Sequence, residues 1–340
     1  MNKYRYVEKE ILCDYELDER LFSKLDLQVE DIIPLRKVFL LITNKGKKIL
    51  KRCEMNIENV EFIDKALNYI YLKDKNVISY CRNKENKVVT SWNNKNYIVI
   101  DLIDGREATF TNPVEVICCS KSIAKLHEAS VGIEDYINGL KIKCIYGENV
   151  IDKYINDLSD IKKLEALVKK FKYKNEFDSL FIKNIDEIKK QMDSSINLLI
   201  KSNYQKMKND KELNYLCHND LAHHNFIINN DEVNIIDFDY CNIDLRIIDI
   251  YIFISKVIKN MAYDKGYIDT IMKEYEKNSN CISIEEREVL KSLIAYPYDF
   301  VNIIKSYYFK EKSWEEEVFI SRLKNKIEAD SFRVELLKTL

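Results

Sequence analysis

Glycine and proline are scarce in this chain, with six and three residues among 340. That excludes a glycine-rich β architecture and a proline-rich linker, and it favours long helices with tight connections. An excess of one charge is also missing. Lys and Arg number 54 against 56 Asp and Glu, a formal net charge of −2. A near-neutral surface gives no global basic footprint for nucleic acid. No apolar run is long enough to span a bilayer. The longest candidate, Ile247 to Ile258, is short and contains Asp249 and Lys256, so it reads as a buried helix. The opening residues, Met1-Asn2-Lys3-Tyr4-Arg5-Tyr6, run into charge without an apolar stretch, so no secretory signal is visible. The nine cysteines are odd in number and never spaced C-x-x-C, and Cys118 and Cys119 are adjacent. Such usage predicts reduced, mostly buried thiols in a protein made in the cytoplasm. The expected partners therefore include neither nucleic acid nor membrane.

Apolar content is ample, 46% of the chain, enough for a sizeable core and two lobes. Leu17 to Leu27 fits a short amphipathic helix. Ile32 to Leu35, Lys37 to Thr43 and Lys47 to Arg52 read as three strands, with Asn44-Lys45-Gly46 as a hairpin turn. Asn56 caps a helix reaching about Tyr71, with Val60, Ile63, Leu67 and Ile70 on one face. Lys87 to Trp92 and Tyr97 to Ile103 follow as two more strands, joined at Asn93-Asn94. Asp104-Gly105-Arg106 breaks the pattern. Beyond it the periodicity is mainly helical: Pro113–Ala129, two helices within Lys153–Lys208, then about Asp249–Tyr263, Tyr267–Lys277, Ile284–Phe309 and Trp314–Leu340.

The chemistry concentrates in one stretch. His218-Asn219-Asp220 leads to Asn225, a polar turn at Asn229-Asn230-Asp231, then an apolar strand ending on Asp237-Phe238-Asp239. H-x-D-x-x-x-x-N followed by a strand and an aspartate supplies the parts phosphoryl transfer needs. One carboxylate, Asp220, accepts the proton of an attacking hydroxyl. An amide oxygen, Asn225, and a second carboxylate, Asp237, hold a magnesium ion. His218 reads as scaffold. A lysine on the third strand, Lys51, is placed to reach nucleotide phosphates, and Glu58, Glu61 or Asp64 on the following helix could orient it. Cys217, His218, His223 and His224 lack the paired spacing of a structural zinc site. No G-x-S-x-G turn supports a serine hydrolase.

These segments, with Asp104-Gly105-Arg106-Glu107, Ala124-Lys125-Leu126-His127-Glu128-Ala129-Ser130, Asp244-Leu245-Arg246 and Ala295-Tyr296-Pro297, resemble the aminoglycoside phosphotransferase and choline kinase branch of the protein-kinase-like fold. Within it the chain is most similar to the bacterial spore coat protein S (CotS) family. The resemblance implies an α+β, bilobal fold. A small antiparallel sheet with one inserted helix would occupy residues 1–103, and a large, mainly helical lobe residues 104–340. It implies ATP and Mg as cofactors, with a nucleotide cleft near residues 101–104 that includes Asp101 and Ile103. Asp220 would be the catalytic base, Asn225 and Asp237 the metal ligands, and Lys51 the phosphate-holding cation. Asp239 would help, and Asp249 with Arg246 would support the loop. It also implies synthesis in the mother cell, a place in the spore coat, and as partners a nucleotide, a small-molecule or protein acceptor and other coat proteins. One departure stands out. The turn expected to cover the phosphates, near Leu35-Arg36-Lys37, has no glycine, and side chains keep a backbone farther from a phosphate. Two readings follow: an ATP-dependent phosphotransferase, or a kinase-fold structural protein of the coat.

Overall fold

The computed structural model describes residues 17–35, 38–230 and 232–340. Five strands form one antiparallel sheet: β1 (Val29–Leu35), β2 (Val38–Thr43), β3 (Gly46–Cys53), β4 (Thr90–Trp92) and β5 (Lys95–Asp101), in the order β1-β2-β3-β5-β4. Helix α1 (Glu19–Lys24) precedes the sheet, and α2 (Ile57–Tyr71) is inserted between β3 and β4. The turns explain themselves. Asn93 and Asn94 both have positive φ between the paired Trp92 and Lys95, as a two-residue hairpin requires. Asn56 caps α2, its side chain accepting the Asn59 amide at 2.7 Å. Strand β4 starts later than its apolar pattern suggests, because Asn83 ties residues 83–90 into a loop of their own.

The rest is mainly helical. Helices α3 (Pro113–Ser130), α4 (Ile133–Gly139), α5 (Val150–Lys169), α6 (Glu176–Lys201) and α7 (Tyr204–Lys208) lead to a pair of small sheets. One joins β7 (Asn214–Cys217) to β10 (Asn242–Leu245). The other orders β6 (Arg106–Glu107), β8 (Phe226–Asn229) and β9 (Glu232–Ile235) as β6-β8-β9. The chain closes with α8 (Arg246–Ile258), α9 (Lys265–Glu276), α10 (Ile284–Ala295), α11 (Tyr298–Tyr308) and α12 (Glu316–Leu337). The single helix expected over Ile284–Phe309 is two, parted at Tyr296-Pro297. Proline lacks the amide donor and its ring disfavours helical backbone at the residue before it. The apolar run at Ile247 is the buried helix α8, with Ile247, Ile250, Phe253, Ile254 and Val257 almost without exposure. Among the described residues no helix is long and apolar enough to cross a membrane.

Alternation along β3 places Lys51. Leu50 joins Phe39, Leu41, Tyr97 and Val99 in a small core roofed by Leu21 and Phe22 of α1. Lys51 therefore points to the opposite face. Its paired neighbour Ile98 belongs to a second, larger core, which α2 shares with the helical region. The eight described cysteines are all free thiols, five of them buried.

Candidate active site

The hairpin β8–β9 assembles the site. The Ile236 N–H donates to the Asn225 carbonyl at 3.0 Å, so the strand returns directly past Asn225 and delivers Asp237. Lys51 reaches over from the N-terminal sheet. Its Nζ lies 2.7 Å from Asp237 Oδ1 and 2.6 Å from Asp239 Oδ2. Asn225, almost fully buried, turns its amide nitrogen to Asp220. It donates to the backbone carbonyl at 2.7 Å and to Oδ2 at 3.2 Å. With the nitrogen so engaged, the Asn225 oxygen is the atom left for a cation. Lys51, Asp220, Asn225, Asp237 and Asp239 are thus gathered from segments as far as 188 residues apart.

The loop carrying Asp220 is held around one buried carboxyl group. Asp249, on α8, has no solvent exposure. It accepts the backbone N–H of His218 at 2.7 Å and of Asn219 at 2.8 Å. His127 Nε2 lies 3.2 Å away, and His127 Nδ1 sits 2.7 Å from the Tyr275 hydroxyl. His218 itself spans the loop. Its Nε2 meets the Ile236 carbonyl at 2.8 Å, and its Nδ1 meets the Asp220 N–H at 3.2 Å. With a carbonyl on Nε2 and an amide on Nδ1, the neutral Nε2-protonated tautomer satisfies both contacts, which fits scaffold and not base. Asn219 takes φ of 63°, and its side chain donates to the Tyr240 carbonyl at 3.1 Å. Cys217 and Asp249 approach His127 closely enough to suggest a metal. However, burial pushes the Cys217 thiol far up, and it donates to the Leu245 carbonyl. The group is therefore a hydrogen-bonded core.

The charge cluster is different in kind. Asp237 sits at φ 65°, a left-handed conformation that costs most residues about 1–2 kcal/mol and that Asp tolerates better than most. Burial presses all three charges toward neutrality, and their neighbours decide the outcome. The Asp237 carboxyl is lowered, burial being outweighed by Lys51. The Asp239 carboxyl is raised, because burial and the Asp237 charge together exceed the pull of Lys51. Lys51 is raised, its burial being overcome by the two carboxylates. Asn225, Asp237 and Asp239 present only oxygen donors, the set a hard divalent cation such as Mg selects.

Other expected residues go elsewhere. Asp101 pairs with Lys48, three residues from Lys51 and so on the opposite face of β3. Ile103 packs, half-buried, against the larger core. Arg246 does not touch the Asp220 loop. Its guanidinium is pinned by Glu286 at 2.7 Å and 3.0 Å, by Ser279 Oγ and by the carbonyls of Asn280 and Cys281. Of the helix acids, Asp64 binds Arg82 at 2.8 Å and 2.9 Å, whereas Lys51 takes Asp237 and Asp239. Arg36 and Lys37 lie outside the described residues, as does Asp231. His127 and Asn219 brace the Asp220 loop, a part that the sequence pattern does not assign to them.

With this geometry in place, the comparisons become informative. The family described as "Spore coat putative kinase YutH", a CotS-like family, matches residues 18–340. The chain belongs to this family. No curated protein matches by sequence. Among solved structures, an aminoglycoside phosphotransferase from Alicyclobacillus acidocaldarius aligns with TM-score 0.83 at 16% identity, over 95% of each chain. The AMP-bound spectinomycin phosphotransferase APH(9)-Ia aligns with TM-score 0.68 at 15% identity, over 93% of this chain and 96% of that one. Choline kinase LicA from Streptococcus pneumoniae aligns with TM-score 0.55 at 15% identity, over 95% and 98%. At such identities the likeness establishes the fold, which is protein-kinase-like: α+β, with a small antiparallel N-terminal sheet and a helical C-terminal part.

Proposed function

We propose that this member of the spore coat kinase family is a magnesium-dependent phosphotransferase that moves the γ-phosphoryl group of ATP to a hydroxyl acceptor. The observation carrying the proposal is the convergence of Lys51, Asp237 and Asp239 within 2.7 Å, beside Asn225 and Asp220. A new bond forms between the acceptor oxygen and phosphorus as the bond from phosphorus to the β–γ bridging oxygen breaks. ADP leaves with that electron pair. Asp220 takes the hydroxyl proton, on a loop fixed by His218 and Asp249. Lys51 shifts from its two carboxylates toward the phosphates. Asn225, Asp237 and Asp239 would hold Mg, which supplies charge neutralisation on the phosphate oxygens. The nucleotide base would lie where residues 1–103 meet 104–340, near Ile103 and the backbone of Asp101, whose side chain faces away to Lys48. Related structures support a nucleotide, since spectinomycin phosphotransferase is seen with ADP and spectinomycin, and an amicoumacin kinase with AMP-PNP and Ca2+. The protein would be made in the mother cell and act in the coat.

A thermal-shift titration with Mg-ATP tests this. Ligand at a hundredfold over Kd stabilises a protein by about 2.7 kcal/mol, so wild type should shift at millimolar nucleotide and Asp237→Ala should not. A second reading, a structural coat protein working through protein contacts, is favoured by the link between the paired Leu35 and Val38, which is Arg36-Lys37 and holds no glycine. It expects the outcome that sinks the first: no shift in wild type, with Asp220→Ala still competent in coat assembly.

A further inference from the structure

Away from this cleft, α2, the end of α1 and the loop over residues 82–91 border an open pocket of about 780 Å³, within the range of small-molecule sites. Lys51, Asp220, Asn225, Asp237 and Asp239 are all absent from its lining. Charge is its distinguishing feature. Lys24, Lys65, Arg82, Lys84 and Lys87 surround it, against Glu61, Asp64 and Glu85. Five cations facing three carboxylates leave two positive charges in excess. The internal pairs sharpen this. Asp64 is neutralised by Arg82 at 2.8 Å, and Glu85 by Lys87 at 2.7 Å. Lys24, Lys65 and Lys84 are left against Glu61, with Lys65 Nζ also 3.6 Å from Asp64 Oδ2.

The wall bearing these cations is built in advance. Asn83 Oδ1 accepts the N–H groups of Glu85 and Lys87, both at 2.9 Å. Its Nδ2 donates to the Val89 carbonyl at 3.2 Å and to Thr90 Oγ1 at 2.9 Å. One side chain thus fixes the loop that mounts Arg82, Lys84 and Lys87, and a fixed wall lowers the ordering cost of binding. Asp64 engages Arg82 through Nη2. Among the described residues the Nε and Nη1 donors of that guanidinium carry no hydrogen bond, and each can meet one phosphate or carboxylate oxygen.

We propose that this pocket is a second ligand site, which takes a small polyanion bearing phosphate or carboxylate groups. It is separate from the phosphotransfer cleft and does not depend on the reaction assigned there. Trp92 reports on it, because Ser91 lines the pocket and Lys24 Nζ lies 5.4 Å from the Trp92 ring centre. The chain has two tryptophans, so Trp314→Phe leaves Trp92 as the sole emitter. Metal-free inorganic pyrophosphate is titrated in one arm and citrate in the other. A saturable Trp92 response to either supports the site, and the responding arm names the chemistry. Lys65→Gln combined with Lys84→Gln keeps the Asp64–Arg82 pair, and so the fold, while weakening binding about tenfold. Lys51→Met should leave the response unchanged. Three results would overturn the proposal: no saturation in either arm, equal affinity in the double variant, or loss in Lys51→Met, which would put the probe in the cleft.

Discussion

Two halves of the candidate site are held by opposite means. The Asp220 loop hangs from Asp249, a carboxylate with no exposure whose oxygens are met by two backbone N–H groups and a histidine ring. Every partner there is short, internal and committed. The Lys51–Asp237–Asp239 cluster is also tight, yet 24%, 40% and 26% of those side chains remain exposed. One of its carboxyls is lowered and the other raised. A saturated buried network is costly to disturb and cheap to keep. A half-open cluster with two like charges around one cation is poised to exchange that cation for another. On the proposed reading the loop half serves position and the cluster half chemistry, so substitutions should separate them by their cost in stability and by its response to pH.

The largest effect should come from Asp249→Ala. It strips the N–H groups of His218 and Asn219 of their acceptor and leaves His127 with one partner. Unmet buried donors cost about 1–3 kcal/mol each, so a loss of about 3–5 kcal/mol is expected. Urea denaturation measures it. A cost below about 1 kcal/mol would erase the contrast between the halves.

Legibility in the sequence follows the same division. The five-strand sheet with its inserted helix was readable because its turns are local: Asn93-Asn94 and Asn44-Lys45-Gly46 announce hairpins. Asp220, Asn225 and Asp237 are legible as a candidate set because their spacing spans one hairpin. What was not readable depends on distance along the chain. His127 meets Asp249 across 122 residues, and no spacing rule links a helix histidine to a later helix aspartate. Lys51 was expected on an acid of α2, but Asp64 is claimed by Arg82, whose position follows the second half of α2 and the loop beyond it. The resemblance groups Arg246 with Asp249 as supports of the loop. A buried arginine goes where carbonyls and a carboxylate converge, here on residues 279–286. Tyr296-Pro297 carried the helix break plainly, but helical periodicity on both sides hid it.

Lys51→Met should cost less and should titrate. Removing the cation leaves Asp237 and Asp239 as partly buried like charges, destabilising by about 1–2 kcal/mol at neutral pH after allowing for solvent screening. In wild type the lowered Asp237 carboxyl contributes stability that is present above the ordinary Asp value and lost as pH falls through the lowered native one. The variant lacks that contribution. The gap between the two proteins should therefore close as pH drops below about 4, as read by urea midpoints across a pH series. A gap that stays constant would mean that Lys51 acts by packing alone, like the loop half.

The smallest effect should come from Asp239→Asn, and its sign is the sharpest discriminator. The Asp239 carboxyl is raised by burial and by the neighbouring Asp237 charge. A raised native carboxyl holds its proton more tightly than the unfolded chain does, so wild type loses stability as pH climbs from the ordinary Asp value through the raised native one. Asparagine keeps the shape without the charge. The variant should therefore match wild type at low pH, gain on it through that window, and stay ahead at neutral pH by less than about 1 kcal/mol, as followed by thermal unfolding. If Asp239 holds Mg with Asp237, the same variant should gain less from Mg-ATP than wild type does, so the order of the two proteins should reverse when nucleotide is added. An Asp239→Asn protein less stable than wild type without nucleotide would show that the ion pair with Lys51 outweighs the burial of the charge, and would assign this carboxylate to the scaffold.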